Sequence, residues 1–372
     1  MDFGIMFFSS VPTDRTGDRY RLVTEAARFA DAHGFGSIWI PERHFHAFGG
    51  LFPNPSVLAA ALAMITRRVQ IRAGSLVSPL HDTVRIAEDW SVVDNLSGGR
   101  IAISFGSGWN IDDFVFYPER YAERQAVMYR QIAEVQALWR GEALSRPNSS
   151  GHNVRIEIQP RPVQPELPIW LTSSGNVQTF ISAGALGANL LCHLLGQTAE
   201  QLREKIARYR AAREEGGFDP AAGRVTLMLH TFLGVDREMV RAKVRTPFRE
   251  YLRSAVSLEQ MAALGGGAIS GGHRIAPHAI PPQAMEDLLD LTFDRYFHTA
   301  SLMGTPDSCR GLLHELEEIG VDEIACLIDF IDDAEAVLES LKLVAELRSS
   351  LIGAAGVGTA ERLGGFLDEL EA

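Results

Sequence analysis

Apolar positions along this chain follow two alternating rhythms. Short runs rich in β-branched and aromatic residues read as buried strands: Phe3 to Phe8, Ser37 to Ile40, Val69 to Ala73, Arg100 to Phe105, Ile169 to Thr172, Asn189 to His193, Val225 to Leu233 and Glu323 to Ile328. Between them, apolar residues recur three and four positions apart, the period of a half-buried helix. From about Asp18 to His33, the residues Leu22, Val23, Ala26, Phe29 and Ala30 share one face, and Gly34 follows as a C-terminal stop. Asn54-Pro55 opens the next helix with a capping side chain and a first-turn proline. Val84, Ala87, Trp90 and Val93 mark a third helix, and a long one spans about Tyr121 to Arg140. The stretch from Ile71 to Trp109 holds strand, loop, helix, turn and strand in that order, the unit of a parallel sheet.

Eight strands alternating with helices predict an α/β fold, a closed (β/α)8 TIM barrel over residues 1–350. The same alternation also suits an open, doubly wound sheet. Two insertions break the rhythm. Residues 145–168 surround Val154-Arg155-Ile156-Glu157-Ile158 with Pro, Asn and Gly and predict a hairpin excursion. Residues 257–285 include Gly265-Gly266-Gly267, Gly271-Gly272 and Pro281-Pro282, and read as a lid over the site or as a passive insertion. Residues 351–372 read as a flexible tail with a short amphipathic helix, Leu363, Phe366, Leu367 and Leu370 on one face. That face suits docking on a partner or on the barrel itself.

Composition narrows the class. No apolar run reaches the roughly 20 residues of a membrane span, and MDFGIMFF enters a strand with no basic leader. A cytoplasmic protein is expected. A net charge of −12 argues against nucleic acid or an anionic membrane as partner. It leaves room for an anionic cofactor held by local dipoles. Cys192, Cys309 and Cys326 are too scattered for a disulfide framework and read as reduced thiols.

Barrels place their chemistry at the C-terminal ends of the strands. There, Pro41-Glu42-Arg43-His44-Phe45 follows the second strand. Glu42 and His44 are the catalytic candidates, because an imidazole exchanges protons near neutral pH. A histidine tied into a loop network is the plainer reading. His44 and His46 lack a third nearby ligand, so no metal is expected. Gly106-Ser107-Gly108 carries half of a dinucleotide fingerprint, with Ile111 where the third glycine belongs. It suits close approach of a flat cofactor. Thr172-Ser173-Ser174-Gly175-Asn176 precedes a helix containing Thr179. Hydroxyls and amides at a helix N-terminus form an anion site, or simply a cap.

Together, IWIPERHF, NPSVLAAALA, the stretch from Ile71 to Trp109, PIWLTSSGNVQTF and GANLLCHLLGQ resemble the bacterial luciferase-like, flavin-dependent monooxygenase superfamily. RVTLMLHTFLG, PFREYLRS, FDRYF and VDEIACLIDF resemble its MupA/Atu3671 branch, associated with polyketide and nonribosomal peptide assembly lines. The resemblance covers about residues 1–348. It implies a barrel that binds reduced FMN (FMNH2) at its C-terminal face, takes O2 as co-substrate and oxygenates an organic substrate. It further implies a separate flavin reductase, a substrate borne by an acyl or peptidyl carrier protein, and a homo-oligomer.

By the same resemblance Gly74-Ser75 is the place of a non-prolyl cis peptide beneath the flavin ring. Ser107, Gly175, Asn176 and Thr179 match the phosphate-binding region, with Gly108, Ser173 and Ser174 as further cofactor-binding residues. Trp109 walls the ring or packs as core; His193 and His230 line the substrate side or are packing histidines, with His193 as a further catalytic candidate. The chain departs from the pattern at Arg43-His44, where many members carry His-His, and at Cys192, where the branch often has Thr. Two rival functions share the fold: hydride transfer with the deazaflavin F420, and a non-catalytic partner of a megasynthase.

Overall fold

The computed structural model of the chain describes residues 1–8, 18–264 and 282–368. Eight parallel strands form its centre: β1 (Asp2–Met6), β2 (Ser37–Ile40), β3 (Gln70–Val77), β4 (Ile101–Gly106), β7 (Ile169–Thr172), β8 (Asn189–His193), β9 (Val225–Leu233) and β11 (Glu323–Leu327). β9 pairs with β8 and β11, and β11 pairs with β1, so the sheet closes on itself. Closure settles the choice between barrel and open sheet in favour of the (β/α)8 barrel. The helices are α1 (Arg21–Ala32), α2 (Pro55–Ile65), α3 (Thr83–Ser97), α4 (Arg124–Arg140), α5 (Val177–Ala185), α6 (Ala199–Glu215), α7 (Arg237–Leu264), α8 (Pro282–Thr299), α9 (Pro306–Glu318) and α10 (Ala334–Asp368).

The local chemistry of the elements follows from their sequences. Asn54 caps α2 by accepting the Ser56 and Val57 N–H groups, as its position before Pro55 predicts. Asp82 caps α3 and Thr198 closes a capping box on α6. The hairpin of β5 (Leu144–Pro147) and β6 (Asn153–Ile156) lies outside the barrel. The chain that returns from it is fastened by buried Asp94 of α3, which accepts the N–H groups of Val163 and Gln164 and the Gln164 side-chain amide.

Inside the barrel, the bottom is closed by a buried polar cluster. Glu323 of β11 accepts from Ser37 of β2, Arg72 of β3 and Thr226 of β9. The Arg72 guanidinium lies 4.8 and 4.3 Å from the ring centres of Trp39 and Trp170, which meet edge to face. Trp39 fills the space above. A Cβ on Gly74 would come within 2.8 Å of its ring, so the β3 strand can pass there only as glycine. The β3–β4 register shifts between Gly74 and Leu76 at the same point.

Some elements were not foreseen. β10 (Leu302–Gly304) has three residues, too few to show a period, and extends the sheet beside the far end of β9. Short 3-10 turns at Ile111–Phe116 and Pro118–Arg120 follow β4. The centre of the expected lid, residues 265–281, lies outside the described residues; its flanks belong to α7 and α8. The stretch read as a separate tail continues α10 to Asp368, and residues 369–372 lie outside the described residues.

Candidate active site

Pro41 ends β2 and turns the chain across the C-terminal mouth of the barrel. Glu42, next in line, is buried and fully bonded. Its Oε1 accepts Nε2–H from His44 at 2.9 Å and from His81 at 2.6 Å, while Oε2 accepts the Val77 N–H at 2.7 Å. Val77 ends β3 and His81 follows the turn at Ser78–Leu80, so three adjacent segments converge on one carboxylate. Burial opposes its ionisation, but the charge of His81 and hydrogen bonds from both imidazoles and Val77 outweigh it and hold Glu42 below the usual carboxylate range. Burial likewise opposes protonation of His81, yet Glu42 beside it pushes the imidazole above its ordinary range. An ionised carboxylate only accepts, so both histidines present Nε2–H to it. His44 keeps Nδ1 for another partner. His81 was not foreseen as a site residue, because nothing in its local sequence distinguishes it.

Aromatic residues form a collar beside His44. The His44 ring lies 5.1 Å from that of Phe116 and 5.6 Å from that of Phe45, and Phe45 and Phe116 are 5.6 Å apart. Phe45 is 67% exposed and has φ of 54°, a left-handed conformation rare for a bulky residue. Trp109 after β4 is exposed as well. Its ring lies 4.9 Å from the Arg43 guanidinium, which settles its position at the mouth and not in the core. His46 turns away to accept the Phe48 N–H. Among the described residues no group of three or more His, Cys, Asp or Glu side chains could hold a metal ion.

The exits of β3 and β4 lie side by side. The Gly74–Ser75 peptide is cis. The Cβ of Ser75 is 3.3 Å from where Gly106 would carry one, which brings Ser75 next to the Gly106-Ser107-Gly108 turn. That turn is held from outside by Arg124, whose Nε donates to the Gly108 carbonyl at 2.9 Å.

At the β7 exit, Ser173 accepts the Gly175 N–H and Asn176 caps α5 by accepting the Gln178 N–H. Ser174 is exposed and Thr179 half-buried in the first turn of α5. Gly175 has φ of +104°, and a Cβ there would stand 3.5 Å from the Lys205 Nζ. Lys205 of α6 donates to Gln197 Oε1 at 2.7 Å, and Gln197 in turn donates to the His193 carbonyl. Lys205 has no carboxylate partner among the described residues, and burial lowers its pKa. A cation beside the amides of a helix N-terminus completes an anion cradle. Lys205 lies 30 residues from Gly175 in sequence, and no local motif announces it.

His193 and His230 stand at the exits of β8 and β9. Burial lowers His193 to about 4, and its Nδ1 accepts the Leu195 N–H, so it is neutral near pH 7 with its proton on Nε2. It can donate a hydrogen bond but is a poor proton source. His230, lowered to about 3 by burial, is ringed by Phe248, Tyr251 and Phe330. Burial pushes the Cys192 thiol up to about 12, and all three cysteines are free and buried.

A closed (β/α)8 barrel with a bonded carboxylate–histidine group, an anion cradle and an aromatic collar at one mouth defines an enzyme of the barrel class. The luciferase-like monooxygenase family model matches residues 1–323, and the chain belongs to that family. It is 24% identical over 317 residues, 83% of each chain, to the oxygenase component of flavin-dependent trigonelline monooxygenase from Acinetobacter baylyi. It is 23% identical over 332 residues, 86% of this chain and 84% of the other, to 4-hydroxyprotoasukamycin monooxygenase from Streptomyces nodosus subsp. asukaensis.

Among solved structures, monooxygenase RslO1 from Streptomyces bottropensis superposes with a TM-score of 0.73 at 22% identity, covering 93% of this chain and 98% of that one. The oxygenating constituent of 3,6-diketocamphane monooxygenase from Pseudomonas putida, in complex with FMN, gives 0.72 at 17% identity, covering 93% and 97%. An F420-dependent secondary alcohol dehydrogenase gives 0.66 at 14%, also covering 93% and 97%. These structures share the fold. Among the described residues no helix is long and apolar enough to cross a membrane.

Proposed function

We propose that this protein is the oxygenase half of a two-component system of the MupA/Atu3671 branch. It receives FMNH2 from a separate reductase and, with O2, hydroxylates a carrier-protein-bound acyl, aminoacyl or peptidyl group in polyketide or nonribosomal peptide assembly, or inserts oxygen into it. The observation that carries the cofactor assignment is Lys205. A half-buried ammonium without a carboxylate partner among the described residues, beside Gly175 at the start of α5, suits the phosphate of FMN. Ser173, Ser174, Gly175, Asn176, Thr179 and Lys205 are assigned to that phosphate. Gly74, Ser75, Gly108 and Trp109 are assigned to the ring, and Ser107 stays with the phosphate region that the resemblance implies. The relative named as an oxygenase component supports a partner reductase. The carrier-borne substrate and the homo-oligomer rest on the resemblance, and the cytoplasmic location on the sequence pattern alone.

When bound, reduced flavin supplies the electrons that let one atom of O2 pass to the substrate. The chain's own residues position and protect that chemistry. Glu42 holds His44 with its proton on Nε2, which leaves Nδ1 to accept or return a proton at the reacting centre. His193 offers Nε2–H as a neutral hydrogen-bond donor. The exposed rings of Phe45, Phe116 and Trp109 give the mouth apolar surface that would displace water once flavin and substrate cover it.

Titration of the purified protein with FMN, FMNH2 and F420 tests the cofactor. Uptake of F420 alone points to hydride transfer, and uptake of none defeats the reading. With a flavin reductase present, a mass gain of one oxygen on a carrier-bound acyl group, absent from the free acid, supports the carrier-borne substrate.

A further inference from the structure

We infer that Arg43 is a specificity-determining residue of this site and receives a carboxylate of the organic substrate. Arg43 is 4% exposed. Three rings surround its guanidinium: Trp109 at 4.9 Å, Phe8 at 5.1 Å and Phe48 at 5.7 Å. They attract the cation through their faces but offer no lone pair to its five N–H donors. Among the described residues no carboxylate lies within ion-pair distance, and the buried Nε has no hydrogen-bond partner.

The carboxylates nearby are committed elsewhere. Glu42 is taken by two histidines and a backbone N–H. Asp113 accepts from Asn110 at 2.8 Å; it and Tyr251 act on the guanidinium through space, but Asp113 makes no ion pair with it, and burial pushes the Asp113 carboxyl up. A guanidinium does not shed its proton under ordinary conditions, and an unpaired buried cation is costly. The arrangement makes sense when the missing acceptor arrives with a ligand. A planar two-oxygen anion matches the guanidinium fork.

The cofactor phosphate has its own cradle at the exits of β7 and β8, on different strands from Arg43. The surroundings of Arg43 also describe the rest of the ligand. The exposed Trp109 ring lies against the guanidinium, and the exposed rings of Phe45 and Phe116 pack together beside His44, the next residue along the chain. They suit an organic acid with an aliphatic or aromatic body. The carboxylate belongs to a free acid or to the distal end of a carrier-bound acyl chain. This inference deepens the monooxygenase reading and rests on it for the identity of the site.

The test compares matched acids and amides on the full-length protein, with and without FMN. The probes are octanoate against octanamide and phenylacetate against phenylacetamide, with dissociation constants from calorimetry. Each acid is expected to bind at least about tenfold more tightly than its amide, the worth of one charge-assisted hydrogen bond. Arg43→Gln is expected to erase that preference while leaving amide and FMN affinities unchanged, and Arg43→Lys to restore part of it.

Equal binding of acid and amide by the unaltered protein, or no binding of either acid, overturns the inference without recourse to a variant. So does a preference that survives Arg43→Gln, or an FMN affinity that falls in step with it. A carrier protein loaded with suberyl or with octanoyl groups separates the sources. Selective capture of the suberyl form marks a carrier-borne carboxylate; a preference confined to free octanoate marks a free acid. Failure to take up FMN defeats the monooxygenase reading, whereas the acid–amide comparison without FMN still reads Arg43.

Discussion

At the scale of single residues, much of the site depends on how one carboxylate divides its lone pairs. Glu42 binds His44, His81 and the Val77 amide at once, so it fixes the tautomer of one histidine and the charge of the other. Glu42→Gln keeps the shape but removes the charge. We expect product formation to fall at least about a hundredfold, the lower range of a lost acid–base contribution, while FMN affinity, measured by fluorescence titration, changes little. The pair also has a pH signature. Glu42 is depressed, so its contribution is present above its ordinary value of 4.5 and is lost as pH falls through the folded value. His81 is raised, so its contribution is full below its ordinary value of 6.5 and is lost as pH rises through the folded value. The two windows overlap between pH 4.5 and 6.5. Thermal melts of the unaltered protein and His81→Gln should therefore differ most in that window and converge on either side of it. A difference that is flat with pH would show that His81 carries no charge there.

At the scale of elements, strands and helices were legible because each has a local signature, and partners were not because the fold supplies them. β9 is legible in a nine-residue, largely apolar run, Val225 to Leu233, broken only by two threonines and His230, and α2 in Asn54-Pro55. The start of α5, proposed above to receive the phosphate, is legible in part: Ser173 to Asn176 stand together in sequence and mark a helix start. Lys205 enters only because α6 packs against α5 after β8 returns the chain to the sheet. The same limit hid His81, which reaches Glu42 across 39 positions. Lys205→Ala tests whether these two helices act together. FMN affinity should fall about tenfold, the worth of one charge-assisted contact. Riboflavin, which lacks the phosphate, should bind variant and unaltered protein alike. An equal loss for both flavins would place Lys205 outside the phosphate site.

At the scale of the whole molecule, the barrel separates its work along its axis. The upper end holds hydrogen-bonding groups left open to a ligand, such as Arg43 and Nδ1 of His44. The lower end holds a polar cluster whose members answer one another. Ser37 and Glu323 meet across 286 positions, and Arg72 meets Glu323 at 2.6 Å between two tryptophan rings. The strand order β9-β11-β1-β2-β3 brings residues from the first and last parts of the chain to one carboxylate, so no reading of local pattern could have paired them. Arg72→Leu leaves Glu323 buried with hydroxyl donors and Arg224 at 3.9 Å. Breaking a buried pair in this way costs about 3–5 kcal/mol, and the urea midpoint should fall accordingly. Arg72→Leu combined with Glu323→Gln should cost less than the sum of the single changes, because the second removes the charge that the first strands. FMN affinity of the folded fraction should be unchanged in both. If Arg72→Leu instead left stability intact and weakened FMN binding, the division between a stabilising base and a reactive mouth would fail for this barrel.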